Sequence, residues 1–328
     1  MKRRELMAAA GAATMCAAAP LRAQGAKQVL KASDVHPLGY PTVEAVVRMG
    51  KKLEAATHGR LSIEMFPGGQ LGGEKEMIEQ AQLGALQIAR ISVGPVGTIV
   101  DELNVFNMPF VFRDEAHMRA VIDGPIGKEM LDKVAANPKT GLVPLAWMDA
   151  GSRNVYTKRA VRRPDDLKGL KIRMMGNPLF VDTMNAMGGN GISMGFGELY
   201  SALQTGVVDG AENNPPTYVT HNHFQVSKVL SMTEHLIIPE ILVFSKRSFD
   251  RLSKDDQALV LKAGAETQLE QRKLWDEMVK ASMEKLRSSG STVVTDVDKK
   301  AFQASVKPVY DKYGEKYGAL MQRIAAVR

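Results

Sequence analysis

Arg173 is the residue whose type and setting most directly suggest a chemistry for this chain. It lies in the stretch 170–174, where apolar residues alternate with Lys171 and Arg173, and this period of two is typical of a β-strand. A guanidinium group keeps its proton in proteins, and its planar fork can donate two parallel hydrogen bonds to a carboxylate. If the strand borders a cleft, Arg173 is suited to hold an acid. Spacing alone favours a solvated arginine on an edge strand, or one paired with an internal acid.

Other side chains that could carry chemistry form no complete catalytic or metal-binding set. The glycine-rich stretch 68–73 precedes a predicted helix but lacks the Gly-Lys-Ser/Thr ending of a phosphate-binding loop, so we interpret it as a turn. His221 and His223 form a close pair without a neighbouring cysteine or carboxylate to complete a zinc site. We therefore expect no catalytic residue, no metal and no cofactor.

The N-terminus has the pattern of a secretory signal peptide. The basic stretch 1–5 is followed by an apolar, alanine-rich stretch at 6–20, which is shorter than the roughly 20 residues that span a bilayer. Small residues follow at 21–26, and cleavage after Ala23 or after Gly25 would suit them. We place the signal peptide at residues 1–23 and expect a periplasmic protein.

Removing the signal peptide changes the charge and the cysteine content of the chain. Four basic residues and one acidic residue leave with it, so the formal net charge falls from +7 to +4. Cys16, the one cysteine, leaves too, which excludes thiol catalysis and disulfides in the mature chain. The pair Arg3-Arg4 keeps both twin-arginine export and the general secretory route open. The sequence contains no basic stripe with interleaved aromatic residues, which is the pattern that predicts nucleic-acid binding.

After the signal peptide, the pattern alternates between strands and helices, which predicts an α/β fold. The expected strands are residues 29–35, 61–66, 86–93, 142–148, 153–157, 170–174, 207–209 and 293–297. The expected helices are residues 41–58, 74–83, 114–122, 126–136, 177–187, 197–205, 254–289 and 299 onward. The helix at 254–289 is far longer than an average helix and could brace two lobes.

Five stretches, taken in order, carry a family resemblance. They are residues 66–74, 107–114, 165–173, 197–206 and 207–213. With them the chain, from about residue 29 to its C-terminus, resembles the solute-binding proteins of tripartite ATP-independent periplasmic (TRAP) transporters, of the dicarboxylate-binding type.

The resemblance implies a two-lobed periplasmic binding protein with a central ligand cleft and a long spanning helix. We expect lobe I to comprise residues 27–150 and 239–278, and lobe II residues 151–238 and 279–328. The implied partners are an organic-acid ligand and the membrane permease subunits, with the receptor itself a monomer.

The resemblance also implies which residues bind the ligand. Arg173 is expected to hold the carboxylate, Arg153 to contact it too, and Asn213, rather than Asn214, to donate or accept a hydrogen bond. Further candidates, each with a structural role as its alternative, are His36, Glu74, Ser92, Phe196 and Tyr218. His36 could cap a turn, and the aromatic residues could belong to the core.

We expect the ligand to be a sugar acid such as D-glucuronate or D-galacturonate, because so many polar candidates suit a ligand with several hydroxyls. A dicarboxylate, a small hydroxy acid or a sialic acid is the alternative ligand. An exported enzyme acting on acidic sugars and a sensory binding domain are the alternative functions.

Overall fold

The computed structural model describes residues 27–328. The predicted signal peptide at residues 1–23 lies outside this range. Within it, no helix combines the length and the apolar character that crossing a membrane requires.

Strands in the described residues form two separate sheets. In chain order they are β1 (Gln28–Ser33), β2 (Leu61–Phe66), β3 (Ile88–Ser92), β4 (Leu142–Met148), β5 (Ser152–Thr157), β6 (Lys171–Met174), β7 (Asn190–Ser193), β8 (Gly210–Asn213), β9 (Val229–Ile237), β10 (Glu240–Ser245) and β11 (Thr292–Val294). The first sheet has the order β2-β1-β3-β10-β4, and the second has the order β11-β9-β5-β8-β6-β7.

Helices cover both sheets. They are α1 (Pro41–Ala56), α2 (Glu74–Leu83), α3 (Val93–Val96), α4 (Glu115–Asp123), α5 (Pro125–Ala136), α6 (Pro178–Ala186), α7 (Leu199–Thr205), α8 (Pro215–Thr220), α9 (His223–Val226), α10 (Lys246–Phe249), α11 (Lys254–Ser288), α12 (Lys299–Ser305) and α13 (Lys307–Ala326). Short 3-10 helices lie at Asp101–Asn107, Pro164–Leu167 and Phe196–Glu198.

Both sheets contain parallel and antiparallel strands. This arrangement brings together the strand ends that carry the candidate site residues. β1 runs parallel to β2 and β3, whereas β10 runs antiparallel between β3 and β4. In the second sheet β6 runs parallel to β7 and β8, while β5 is antiparallel to β8 and β9. The chain passes from the first sheet to the second between β4 and β5, returns between β9 and β10, and crosses to the second sheet again between β10 and β11.

α11 connects the two lobes that surround these sheets. Its 35 residues begin at Lys254, where the side chain of Ser253 accepts the N–H of Asp256, and extend over about 52 Å at 1.5 Å per residue. The helix contacts α1 and β4 of the first lobe and α8 and β11 of the second. Gly264 lets it approach β4 closely, because a β-carbon there would lie 2.8 Å from that of Leu145. The long spanning helix and the two-lobed α/β fold are therefore confirmed.

Several local predictions were wrong. The strand expected at 207–209 lies at Gly210–Asn213, and β7, β9 and β10 were missed altogether. The helix expected from residue 299 onward is two helices separated at Val306, since Pro308 restarts a helix in its first turn. The residue limits of the two lobes remain a prediction. α13 contacts both lobes, through Tyr310 with the carbonyl of Pro109 and through Tyr313 with Asp182.

Candidate functional site

Strand ends from both sheets converge on one buried cavity. Because β10 is antiparallel to β3, Glu240 at its start lies opposite Ser92 at the end of β3. In the second sheet, Asn213 ends β8 opposite Asn154 of β5. The cavity is lined by Val35, His36, Glu74, Arg90, Ser92, Arg153, Arg173, Met175, Phe196, Asn213 and Glu240.

A larger outer cavity adjoins this inner one. The inner cavity has a volume of about 30 Å³ and the outer about 340 Å³, and Val35 and Phe196 line both. The outer cavity is bordered by the glycine-rich loop on one side and by Phe196 and His221 on the other. Gly68 and Gly69 have φ of +66° and +71° and donate their N–H groups to the carbonyls of His36 and Asp34. This left-handed turn, which glycine adopts without strain, fixes the loop to the end of β1.

Three arginines line the inner cavity, and the first of them, Arg90, is fully neutralised by the protein. Its Nε lies 3.0 Å from Asp34 Oδ1, and its Nη1 lies 2.7 Å from Glu74 Oε1 and 3.1 Å from Glu240 Oε1. Burial alone would lower its pKa, but these three carboxyl groups raise the pKa of Arg90 well above its ordinary value. Arg90 therefore holds an internal acidic cluster together and has no capacity left for an anionic ligand.

The second arginine, Arg153, is also paired. Its Nε and Nη2 donate to the two oxygens of Glu212 at 2.5 and 2.8 Å. Its Nη1 donates to Asn213 Oδ1 at 3.1 Å, so it also orients the amide that lines the cavity. Burial lowers the pKa of Arg153, but Glu212 outweighs burial and the net shift is upward. Arg153 is therefore suited to position Asn213 and to add positive potential, rather than to form a new full ion pair.

The third arginine, Arg173, has no carboxylate partner within residues 27–328. Its Nε donates to the carbonyl of Met194 at 2.9 Å, and its guanidinium lies 5.6 Å from the ring centre of Phe196. Arg173 is 2% exposed, and its Nη1 is buried without any hydrogen-bond partner in the described chain. Burial lowers the pKa of Arg173 and the nearby charges do not outweigh it, so the net shift is downward, in contrast to the other two arginines. A buried guanidinium left in this state is costly unless a ligand supplies an acceptor.

The acidic residues of the cavity are held by hydrogen bonds. Glu74 stands in the first turn of α2, where its Oε1 accepts from the N–H of Ser92 at 3.0 Å and from its hydroxyl at 2.9 Å. Glu240 Oε1 faces Arg90, whereas its Oε2 is buried without a partner in the part of the chain that is described. Burial, followed by the charges of Glu74 and Asp34, raises the pKa of Glu240 to about 8.

Aromatic residues and hydroxyls join the two lobes beside the cavity. His36 Nδ1 lies 3.1 Å from His221 Nε2, and the His36 ring stacks on Tyr40 with centroids 3.8 Å apart. Tyr40 Oη lies 2.9 Å from Thr217 Oγ1 of α8. Burial, then the positive charge of Arg90, lowers the pKa of His36 well below its ordinary value, so its imidazole is neutral at pH 7. These contacts across the cleft hold the lobes close together.

The structure brings most of the predicted site residues together. Those that line the inner cavity are His36, Glu74, Ser92, Arg153, Arg173, Phe196 and Asn213. Tyr218 does not line it, because its ring packs on Tyr156 and its hydroxyl donates to the carbonyl of Ser227. Asn214 accepts the N–H of Thr217 and so caps α8, which leaves Asn213 as the asparagine that faces the cavity.

Sequence reasoning missed Arg90 and Glu240. A signal for Arg90 existed, since it is a lone charge inside the short apolar strand β3. Also missed was the Gly-x-Ser-x-Gly pattern at residues 191–195, which is the spacing of a hydrolase nucleophile elbow. Ser193 ends the edge strand β7, is exposed, and bonds to no histidine among the described residues. Within residues 27–328, no group of three or more potential ligands could hold a metal ion.

Comparison with known proteins places this geometry in a family. Residues 32–316 match the model of bacterial extracellular solute-binding protein family 7, DctP. A TRAP periplasmic solute-binding protein from Pseudomonas putida F1, solved with bound D-glucuronate, is 56% identical, with a TM-score of 0.89 over 92% of this chain and 98% of that one. One from Xanthobacter autotrophicus Py2, with bound β-D-galacturonate, is 42% identical, with a TM-score of 0.87 over 91% and 100%.

A third relative, from Citrobacter koseri, is known in two states. With bound D-glucuronate it is 50% identical, with a TM-score of 0.89 over 92% of this chain and 100% of that one. Its apo, open structure matches with a TM-score of 0.80 at 47% identity, over 91% and 98%. The arrangement of the lobes here is therefore more similar to the ligand-bound state. The chain belongs to the DctP family of TRAP solute-binding proteins, which are periplasmic, bind a carboxylate ligand and work with membrane components.

Proposed function

We propose that this protein captures a hexuronate, D-glucuronate or D-galacturonate, for uptake by a TRAP transporter. The observation that carries the proposal is the buried Nη1 of Arg173, which has no acceptor in residues 27–328. A ligand carboxylate supplies that acceptor and also neutralises the charge. The fork of the guanidinium suits a bidentate pair, which a lysine would not form.

The remaining lining of the cavity favours a polyhydroxylated acid. Glu74, Ser92, Asn213 and Glu240 all present polar atoms to a space shared with Phe196. A short apolar acid would leave several of them without partners, at a cost of about 1–3 kcal/mol each. The face of a pyranose ring can pack against Phe196 while its hydroxyls bond to the polar groups.

Ligand entry requires the cleft to open further. The inner cavity of about 30 Å³ has the room of about one water molecule, far less than a six-carbon acid needs. The ligand would therefore enter between separated lobes and occupy the inner cavity together with part of the outer one. Hinge closure around the ligand then brings Arg173 and the first-lobe groups onto the same molecule.

The proposal also covers export, oligomeric state, the fate of the ligand and the limits of the lobes. Residues 1–23 act as a signal peptide whose Arg3-Arg4 pair is compatible with either export route, and the mature receptor acts as a monomer. It binds its ligand without altering it. We retain 27–150 with 239–278, and 151–238 with 279–328, as the proposed lobes. Cell fractionation with N-terminal sequencing checks the first point, and recovery of unaltered ligand after incubation checks the absence of enzymatic activity.

The function is tested by thermal shift, followed by calorimetry, on the purified mature protein. The panel is D-glucuronate, D-galacturonate, lactate, succinate and sialic acid, with D-glucuronamide as a matched control that replaces the carboxylate by a neutral amide. We expect a rise in melting temperature with at least one uronate and none with the amide. A shift with succinate or lactate alone, and none with either uronate, would show that the ligand class is wrong.

A further inference from the structure

Glu240 is a buried acid whose second oxygen has no hydrogen-bond partner among the described residues. It begins β10 directly after Pro239, where the chain returns to the first sheet, and it is 5% exposed. Its register with Ser92 places it at the strand ends that border the cavity. Oε1 is engaged by Arg90 Nη1 at 3.1 Å and lies 3.3 Å from the Ser92 hydroxyl, which is closer to Glu74. Oε2 is buried and bonds to nothing in residues 27–328.

The charges around Glu240 favour its neutral form. Arg90 lies within ion-pair distance of three acids, Asp34, Glu74 and Glu240, so one positive charge faces three carboxyl groups. An anionic ligand that enters the cavity adds to this excess of negative charge. A proton on one of the three acids relieves it. Because Oε1 faces the Arg90 cation, the proton of a neutral Glu240 belongs on Oε2, where it can be donated.

Tyr40 and His36, two titratable side chains near Glu240, do not change charge between pH 7 and 9.5. The pKa of Tyr40 is raised by burial and then by Glu240, and the pKa of His36 is lowered by burial, so both side chains stay neutral there. Arginines keep their protons. From the packed elements, the other facing groups are Asp34 after β1, Glu74 of α2, Arg90 and Ser92 of β3, the uncharged Met148 of β4 and Arg153 of β5.

We propose that Glu240 is a specificity-determining residue that, in its protonated form, donates a hydrogen bond from Oε2 to a hydroxyl oxygen of the ligand. This rests on the proposed function and adds a second recognition element to it. Arg173 and Glu240 then select opposite features of one molecule, an anionic group and a neutral oxygen. A dicarboxylate would instead place its second charge near the acids Glu74 and Asp34, so the pair disfavours dicarboxylates.

Two variants of the full mature chain separate this role from a purely structural one. Glu240→Gln keeps the shape and a donor, whereas Glu240→Ala removes both. In calorimetry at pH 7 with whichever uronate the wild type binds, we expect Glu240→Gln to stay within about fivefold of wild type and Glu240→Ala to bind at least tenfold more weakly. Wild-type affinity should fall as pH rises from 7 to 9.5, because Oε2 loses its proton, and Glu240→Gln should show no such fall.

The outcomes are distinct from those that test the function itself. If the wild type binds neither uronate, the proposed function fails whatever the variants do. If the wild type binds a uronate but Glu240→Ala binds equally well, or Glu240→Gln binds as weakly as Glu240→Ala, this inference is overturned and the function stands. Should Glu240→Ala fail to fold, the pH profiles of wild type and Glu240→Gln decide the matter, since identical slopes contradict a titrating donor.

Discussion

Replacing Arg173 by methionine should separate ligand binding from stability. Arg173 is 2% exposed and has no carboxylate partner in residues 27–328, so its removal leaves no buried acid unpaired. The folded protein loses the hydrogen bond from Nε to the carbonyl of Met194, worth about 1 kcal/mol, but no longer buries an unneutralised cation. We expect the free energy of unfolding without ligand to change by about 1 kcal/mol or less, in either direction.

Ligand affinity should change far more. Truncating one partner of a buried, hydrogen-bonded charge pair costs about 2–5 kcal/mol, which is a loss of roughly 30- to 5,000-fold in affinity. Arg173→Lys should recover only part of this loss, because lysine keeps the charge but not the planar fork.

Arg153→Met provides the matched control. It removes an equally buried arginine but leaves Glu212, which is 0% exposed, without its two strong hydrogen bonds. Breaking a buried pair from one side typically costs about 3–5 kcal/mol of stability. Urea unfolding without ligand should therefore rank Arg153→Met well below Arg173→Met.

Calorimetry and urea unfolding on the same preparations give both readouts. If Arg173→Met were destabilised as much as Arg153→Met, Arg173 would serve the fold rather than the ligand. If it bound the wild-type ligand with unchanged affinity, the carboxylate would be held elsewhere.

Two further predictions concern stability. Burial lowers the pKa of His221 and of His235 to about 4. Between that pH and about 6.5, the unfolded chain binds more protons than the folded one, so the free energy of unfolding should fall as the pH is lowered. Urea unfolding should show a smaller fall for His221→Asn, and parallel curves would contradict this. Two glycines in helix interiors test packing. Gly264→Ala should destabilise the folded protein by about 1–3 kcal/mol, because the new methyl group overpacks against Leu145. Gly318→Ala, where a β-carbon would meet no described atom within 4 Å, should stabilise it by up to about 1 kcal/mol, and equal melting temperatures of the two variants would contradict the packing argument.

Elements with a clean period were predictable from the sequence. Leu61–Phe66, Glu74–Leu83 and Leu142–Met148 have the expected bounds, because their apolar residues follow the period of a strand or a helix facing a core. β9 was not predictable in this way, since its inward positions include Ser231, which bonds to the N–H of Val161. A hydrophobicity pattern predicts a polar residue to be exposed, even where a hydrogen bond to a group distant in the chain keeps it buried.

The site was predictable only in part, for a related reason. The family pattern pointed to Arg173 and Arg153, but nothing in the sequence distinguishes an arginine that serves a ligand from one that serves the fold. That distinction depends on contacts between residues far apart in the chain. Arg90 is neutralised by Asp34, 56 positions away, and Arg153 by Glu212, 59 positions away. Only the folded chain reveals that Arg173 lacks such an acid within residues 27–328.

Under the proposed function, the different pairing of the three arginines couples ligand binding to lobe closure. In an open cleft, water can solvate Arg173 Nη1 and Glu240 Oε2, so neither costs the protein much free energy. Closing the lobes without ligand strips that water from both atoms and leaves them without partners, which disfavours the closed form by several kcal/mol. The contacts between His36 and His221 and between Tyr40 and Thr217 oppose this cost. A ligand that supplies a carboxylate and a hydroxyl satisfies both atoms in the closed form alone. We propose that its differential affinity for that form shifts the population toward closure.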